Sequence, residues 1–474
     1  MALKLYDTLT RKIKPLHVSD GSRFRFYVCG PTVYGPTHIG NFRTMILGDL
    51  LFRVLQLSGM NPYYVRNLTD VDDKTIDRCQ KAGIGLEKFT TKWIQVFHND
   101  CEKLNILPPS LEPRATQHIN QQILLIKKLV DTGYGYKGKD GAVYFDVRSF
   151  KNYGQLSRLK NRELRTQKKT SEGRLNLADN YDRESVADFA LWKARKPSDG
   201  ENYWPSPWGE GRPGWHLECS AMSMEYLGES FDLHGGGSDL CFPHHENEIA
   251  QSEAATGTKF AKHWMHGAML KVDSQKMSKS MGNIHTVNEI LDMGYSPMDL
   301  RYTLLTGHYR QPLNFTRNGL ESACSAIRSI EKKIEPLLKS LKVSKSEFEN
   351  LGQGTSQISG PFEQSWFALL EDLNTPKCLG TLFKAFNETE VETISHNLPS
   401  LSRLLFALGI RLFTDSPSPD TEIPKKIVLL AEKRWNSKRE RDFATADALR
   451  EEVESMGWII LDRKDRYEIQ KQNP

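Results

Sequence analysis

The apolar run FRFYVC at 24–29 has the length and aromatic content of a buried strand, and Gly30 and Pro31 close it. After a turn rich in Gly and Pro, apolar side chains recur at Met45, Leu47, Leu50, Leu51, Val54, Leu55 and Leu57. That recurrence predicts a helix over 41–58 lying against a sheet. Gly59 stops it, and Tyr63, Tyr64 and Val65 begin a second strand. Strand, loop, helix and strand in succession make the crossover that parallel strands require. The first 125 residues therefore read as half of a nucleotide-binding sheet. GxGxxG is absent, which argues against a dinucleotide cofactor.

Alternation through 140–150 (DGAVYFDVRSF) predicts an edge strand, and the polar stretch 160–182 a mobile surface insertion. Residues 196–214, crowded with Pro, Gly and Trp, read as an irregular connection. Regular structure returns with a helix over 215–227, a strand over 231–234, a Gly-rich turn (GGGSDL) and a helix over 244–255. From 319 helical periods dominate, broken by linkers at 349–361 and 415–424. The expected fold class is α/β. A two-part Rossmann-like parallel sheet (1–125 and 215–270) holds a connective insertion (126–214) and is followed by helical C-terminal domains (319–414 and 425–474).

Composition narrows the class. Apolar residues are 38% and charged residues 26% of 474, which suits a globular chain and no spanning helix. Lys and Arg (64) exceed Asp and Glu (59) only slightly, permitting nucleic-acid contact without requiring it. The cysteines at 29, 79, 101, 219, 241, 324 and 378 are scattered singly, so no disulfide framework is visible. With no secretory core in MALKLYDTLTRKIKPLHV, a reducing cytoplasmic location is expected, with no membrane partner. Between Lys425 and Arg450 basic residues outnumber acidic ones two to one, with Trp435 among them.

Four groups carry candidate chemistry. Cys29 ends the first strand, where ligands bind in open α/β sheets. Cys219 lies a turn beyond Trp215, and His244 and Glu248 share a face if 244–255 is helical. Two thiolates, an imidazole and a carboxylate suit Zn²⁺ rather than Mg²⁺ or Ca²⁺. His245 and Glu246 could replace one of the pair, so spacing leaves the set open. In THIGN (37–41), Gly40 allows close approach at a helix N-terminus, while His38 and Asn41 can donate to phosphate. KMSKS (276–280) carries Lys276 and Lys279 on a loop able to close over a triphosphate. In GGGSDL (235–240), Gly236 offers close approach to a base or ribose, and Asp239 can accept from hydroxyls.

In this order, these elements resemble class I aminoacyl-tRNA synthetases, specifically the cysteinyl-tRNA synthetase family. The resemblance rests on YVCGPTVYGPTHIGN (27–41), NLTDVDDK (67–74), GRPGWHLECSAM (211–222), FDLHGGGSDLCFPHHENEIAQ (231–251), KMSKS (276–280), GHYRQPLNFT (307–316) and DFATADALREEVESMGW (442–458). It implies zinc held by Cys29, Cys219, His244 and Glu248. It places Thr69 and Trp215, beside Cys29, around the bound amino acid. Where the family has HIGH this chain has His38, Ile39, Gly40 and Asn41. Residues 271–318 become the activation loop and a region contacting the tRNA stem, and 425–474 an anticodon-binding domain with Trp435, Arg439 and Arg441 as contact candidates.

The implied reaction joins L-cysteine to the terminal adenosine of tRNA(Cys) through cysteinyl-adenylate, using ATP with its Mg²⁺. His38, Lys276 and Lys279 would stabilise charge, His38, Gly40, Asn41, Gly236, Asp239 and Lys279 would hold ATP, and zinc would select sulfur over serine's hydroxyl. A monomer is expected. Two other readings follow from the same residues: a cysteine-activating ligase with a small amine acceptor, and a non-catalytic RNA-binding protein with structural zinc.

Overall fold

The computed structural model describes residues 2–19, 21–159, 164–165, 186–277, 282–354, 357–413, 425–439, 442–462 and 467–471. The chain divides into two compact units, Met1–Leu291 with Pro297–Thr414, and Asp292–Ser296 with Asp415–Pro474. At the centre of the first is a four-stranded sheet in the order Trp264–Gly267, Leu233–Gly237, Phe24–Val28, Pro62–Arg66. Every neighbouring pair is parallel, with Tyr27 opposite both His234 and Val65. Strands from 24–66 and from 233–267 thus close one sheet. From Phe24–Val28 the chain crosses to Pro62–Arg66 on one side, and from Leu233–Gly237 to Trp264–Gly267 on the other. The strand order therefore reverses between the two middle strands, and the crevice beyond their carboxyl ends is where open α/β sheets bind ligands.

The helix Ile39–Leu57 begins two residues earlier than its apolar pattern suggests, because His38 caps it. It is buried on nearly all sides, lying between the sheet and a helical bundle. Gly48 is needed there, since a Cβ would stand 2.9 Å from the Tyr64 hydroxyl. Asp49, midway along, accepts from Arg53 Nε (2.9 Å) and Arg301 Nη2 (2.5 Å). The two arginines pass on to Phe406 O (3.1 Å) and Leu408 O (2.8 Å), at the end of the bundle helix Leu398–Leu408. A buried ionic knot therefore fixes the helix to the bundle formed by Arg317–Leu341, Lys345–Leu351, Glu363–Leu370, Thr375–Glu388 and Leu398–Leu408.

Four sequence expectations change. The 140–150 segment is not an edge strand: Val143–Phe145 lies inside an antiparallel sheet, between Gly135–Lys137 and Phe189–Ala194. All three residues are buried because both faces are covered, and the flanking polar residues belong to turns. The 196–214 connection contains a strand, Gly211–Pro213, whose Gly211 meets the neighbouring backbone so closely that a Cβ would stand 2.2 Å from Lys193 O. The strand expected at 231–234 is Leu233–Gly237 and takes in three glycines of the supposed turn. The helix expected from 244 begins at Glu246, after a π turn over Cys241–His245. Most of the 160–182 stretch and the whole 415–424 linker lie outside the described residues.

In the second unit, helices Lys425–Arg439 and Phe443–Ser455 pack on an antiparallel hairpin, Trp458–Asp462 with Tyr467–Lys471. Ile427, Leu430, Ala431, Val453, Trp458 and Ile460 form its core. Among the described residues no helix is long and apolar enough to cross a membrane.

Candidate active site and metal centre

Cys29 follows its strand at the switch point and donates its N–H to Gly235 O (3.2 Å) across the two middle strands. Cys219 comes from helix Trp215–Leu227, and His244 and Glu248 from the π turn and the helix after it. All four are buried. The sulfurs lie 3.8 Å apart, Cys29 Sγ is 3.8 Å from Glu248 Oε1, and His244 Nε2 is 3.0 Å from that oxygen. Tetrahedral Zn²⁺ with Zn–S near 2.3 Å needs sulfurs about 3.8 Å apart. The donor set fits zinc in both chemistry and spacing. His244 sits before the regular helix rather than in it, yet the π turn brings it to the Glu248 face.

A second set shares two members: Cys29, His234, His245 and Glu248 also bring one donor atom each within 4.8 Å of the others. Here His245 Nε2 is 3.3 Å from Cys29 Sγ but 4.0 Å from Glu248 Oε1. Its other nitrogen meets His266 Nε2 at 2.8 Å, and His266 Nδ1 meets Thr8 Oγ1 at 2.8 Å. His234 Nε2 holds the other oxygen, Glu248 Oε2, at 2.9 Å, and His216 Nδ1 meets His244 Nδ1 at 2.8 Å. In this arrangement His234 and His216 brace Glu248 and His244, as outer partners commonly orient metal ligands.

Charge is balanced around the cluster. Burial works against ionising Glu248, but His234 and His244 hold its carboxyl down at about 2. Burial also opposes a charged His244, and Glu248 overcomes it, raising the imidazole to about 10. Burial and the neighbouring Cys219 push the Cys29 thiol well up. Cys219, equally buried, is drawn down to about 6 by the bond from Cys29 and by His244. Glu248 is thus held charged by its two histidines, and Cys219 is the more acidic of the two thiols.

Above the cluster opens a cleft of about 600 Å³ whose walls include Pro31, Thr32, His38, Asn41, Trp215 and Thr286. Trp215 joins the two regions, its ring centroid standing 4.4 Å from that of His244. His38 Nδ1 accepts from Asn41 N–H at 3.3 Å. A neutral His38 bonded in this way carries its proton on Nε2. The chain after the lysine loop folds back here: Ile39 N–H donates to His285 O (2.9 Å), and a Cβ on Gly40 would stand 3.7 Å from Met277 Cε. Two motifs more than 230 residues apart therefore meet at one mouth.

Other predicted residues fall elsewhere. Thr69 is buried behind the wall, donating its N–H to Pro31 O (3.1 Å) and accepting from Asn67 Nδ2 (3.1 Å). Gly236 is a strand residue, and its missing Cβ leaves room for His245 Cε1, which would otherwise be 2.7 Å away. Asp239 lines a separate cavity with Arg11, Ser157 and Cys241. The Lys276 backbone pairs with Lys271 in a short hairpin, while Lys279 and Arg441 lie outside the described residues. Trp435 packs on Tyr467 (5.6 Å between centroids), and Arg439 is exposed.

Sequence reasoning missed His216, His234 and His266, and it missed the rim where Tyr34 carries Arg78 (4.6 Å) and Lys74 (5.8 Å) over its ring. The signal for His234 was in the pattern, as a polar residue inside an apolar strand beside the glycines.

The parallel sheet, the ligand crevice at its switch point and the paired motifs at the cleft mouth define a class I aminoacyl-tRNA synthetase. Consistently, the family model for the catalytic domain of tRNA synthetases class I (C) matches residues 15–325. Similarity extends over the whole chain: it is 49% identical to the cysteine–tRNA ligase of Opitutus terrae over 99% of both chains, and 41% identical to that of Chlamydia felis over 99% of this chain and 98% of the other. The chain belongs to the cysteinyl-tRNA synthetase family. Among solved structures, a Mycobacterium tuberculosis methionyl-tRNA synthetase in complex with methionyl-adenylate shares the fold at 13% identity. Its TM-score is 0.56, covering 82% of this chain and 92% of the other.

Proposed function

We propose that the chain ligates L-cysteine to the 3′-terminal adenosine of tRNA(Cys), with the amino acid's sulfur seated at Cys29, Cys219, His244 and Glu248. The observation that carries this reading is the convergence of those four donors beneath a cleft whose rim holds His38. Zinc bound there supplies a Lewis-acid seat for sulfur that a serine hydroxyl matches poorly. An apolar pocket separates near-isosteres by only about 1–3 kcal/mol, so recognition of the sulfur itself removes the need for proofreading.

The remaining chemistry belongs to the chain's own groups. Cysteine's carboxylate attacks the α-phosphorus of ATP, which enters with Mg²⁺, and pyrophosphate leaves. His38 donates from Nε2 to the phosphate oxygen that gains charge, and Asn41 steadies the same group. Lys276 and Lys279 neutralise the departing pyrophosphate as their loop closes. The 2′- or 3′-hydroxyl of the terminal adenosine then attacks the adenylate carbonyl and AMP leaves. Trp215 bounds the amino-acid side of the cleft. Arg439, Arg441 and Trp435 serve the anticodon end, Trp435 by supporting Tyr467. We place the protein in the cytoplasm as a monomer.

Cysteine-dependent ATP–pyrophosphate exchange tests the assignment. Cys29→Ser is expected to raise the KM for cysteine by at least tenfold while leaving that for ATP within twofold. Equal losses of both in a folded variant would make the metal structural.

A further inference from the structure

Glu218 lies on helix Trp215–Leu227, one turn beyond Trp215 and one residue before Cys219. Three residues beyond Trp215, it neighbours that side chain on the helix surface, and it directly precedes Cys219 in the chain. It is 1% exposed, and neither carboxyl oxygen has a hydrogen-bond partner among the described residues. Neighbouring buried acids are satisfied. Glu246 accepts from Gly154 N, Ser157 N and Ser157 Oγ, Asp70 from Thr116 N and Oγ1, and Glu248 from two histidines. A buried carboxyl left without partners is costly, and in a folded protein it calls for an explanation.

Its surroundings show what is missing. The Thr69 hydroxyl, Cys219, Asp72 and Asp70 are its polar neighbours. Thr69 lies directly behind the cleft wall: its N–H donates to Pro31 O, and its own carbonyl accepts from Val33 N–H, both at 3.1 Å. Glu218 thus stands buried close to Thr69 and beside Cys219. Cysteine is short, with three bonds separating its sulfur from its nitrogen. A sulfur held by Cys219 and its partners carries the ammonium group along this same wall.

We propose that Glu218 is the counter-charge for the substrate's α-ammonium group, making it a specificity residue for an α-amino thiol. The assignment rests on the sulfur seat proposed above. It explains why a buried acid is kept beside Cys219 without a partner, since the substrate supplies the donors.

The test compares two ligands by calorimetry on the zinc-loaded, full-length protein: cysteine, and 3-sulfanylpropanoate, which keeps the thiol and carboxylate but lacks the amine. The wild type is expected to prefer cysteine by roughly 10- to 100-fold, the range for hydrogen bonds to a charged group. E218Q is expected to lose that preference through weaker cysteine binding, with 3-sulfanylpropanoate unchanged within twofold. E218D, which keeps the charge on a shorter arm, is expected to retain part of it. Equal weakening of both ligands by E218Q, or an undiminished preference, would overturn the proposal. Equal affinity for the two ligands in the wild type would do so without any variant. Removing zinc tests the sulfur seat separately: if both ligands bind the stripped wild type as before, that seat is wrong, and the amine comparison still reads Glu218.

Discussion

At the scale of single residues, the cleft depends on which atom of each group is committed elsewhere. His38 spends Nδ1 on the backbone of its own helix, so on the proposed reading a phosphate meets its Nε2. His38→Ala is expected to lower kcat for adenylate formation about 10²-fold with little change in cysteine KM, measured by pyrophosphate exchange. Asp7 shows the same logic away from the site. Its carboxylate accepts from Trp264 N (3.0 Å) and Thr10 Oγ1 (2.6 Å) and pairs with Lys14 (2.5 Å). Burial opposes its charge, yet Lys14 and Thr10 hold it at about 2, below the ordinary carboxylate range. Because the folded value is the lower one, this stabilisation is full above about pH 4 and is lost as pH falls through 2. Asp7→Asn is expected to cost about 2 kcal/mol in urea unfolding at pH 7, with the deficit shrinking between pH 4 and pH 2.

Elements explain how far the sequence could be read. The crossover from Phe24–Val28 to Pro62–Arg66 was legible because apolar spacing and a stopping glycine mark each piece. Val143–Phe145 was misread as an edge because three residues are too few to show that both faces are covered. Leu233–Gly237 was truncated because glycine disfavours strands, and here close packing of His245 overrides that preference. Cys29 and Cys219 carried no spacing information across 190 residues; parallel register and a helix packed on the sheet bring them together. The resemblance named those ligands, while the outer histidines and Glu218 emerged only from burial and partner geometry. A similar restriction protects the ionic knot on the catalytic helix. Gly409 has φ +65°, and a Cβ there would stand 2.0 Å from Arg301 Nη2. Gly409→Ala is expected to destabilise the fold by on the order of 3 kcal/mol, read as a lowered urea midpoint.

For the whole molecule, the proposed reading assigns activation and RNA binding to different stretches of chain. Truncation within the 415–424 linker is expected to preserve cysteine-dependent pyrophosphate exchange while raising the tRNA KM at least tenfold. An unchanged KM in the charging assay would withdraw the anticodon role from 425–474.

The four candidate metal ligands also have an order in time. Cys29 is made early, whereas Cys219, His244 and Glu248 follow only after the insertion has been synthesised. A growing chain therefore carries the Cys29 thiol just beyond the strand Phe24–Val28 until the later segment folds beside it. On the proposed ligand set, full metal capture can come only after that meeting, so loading would report that both halves of the sheet have found each other.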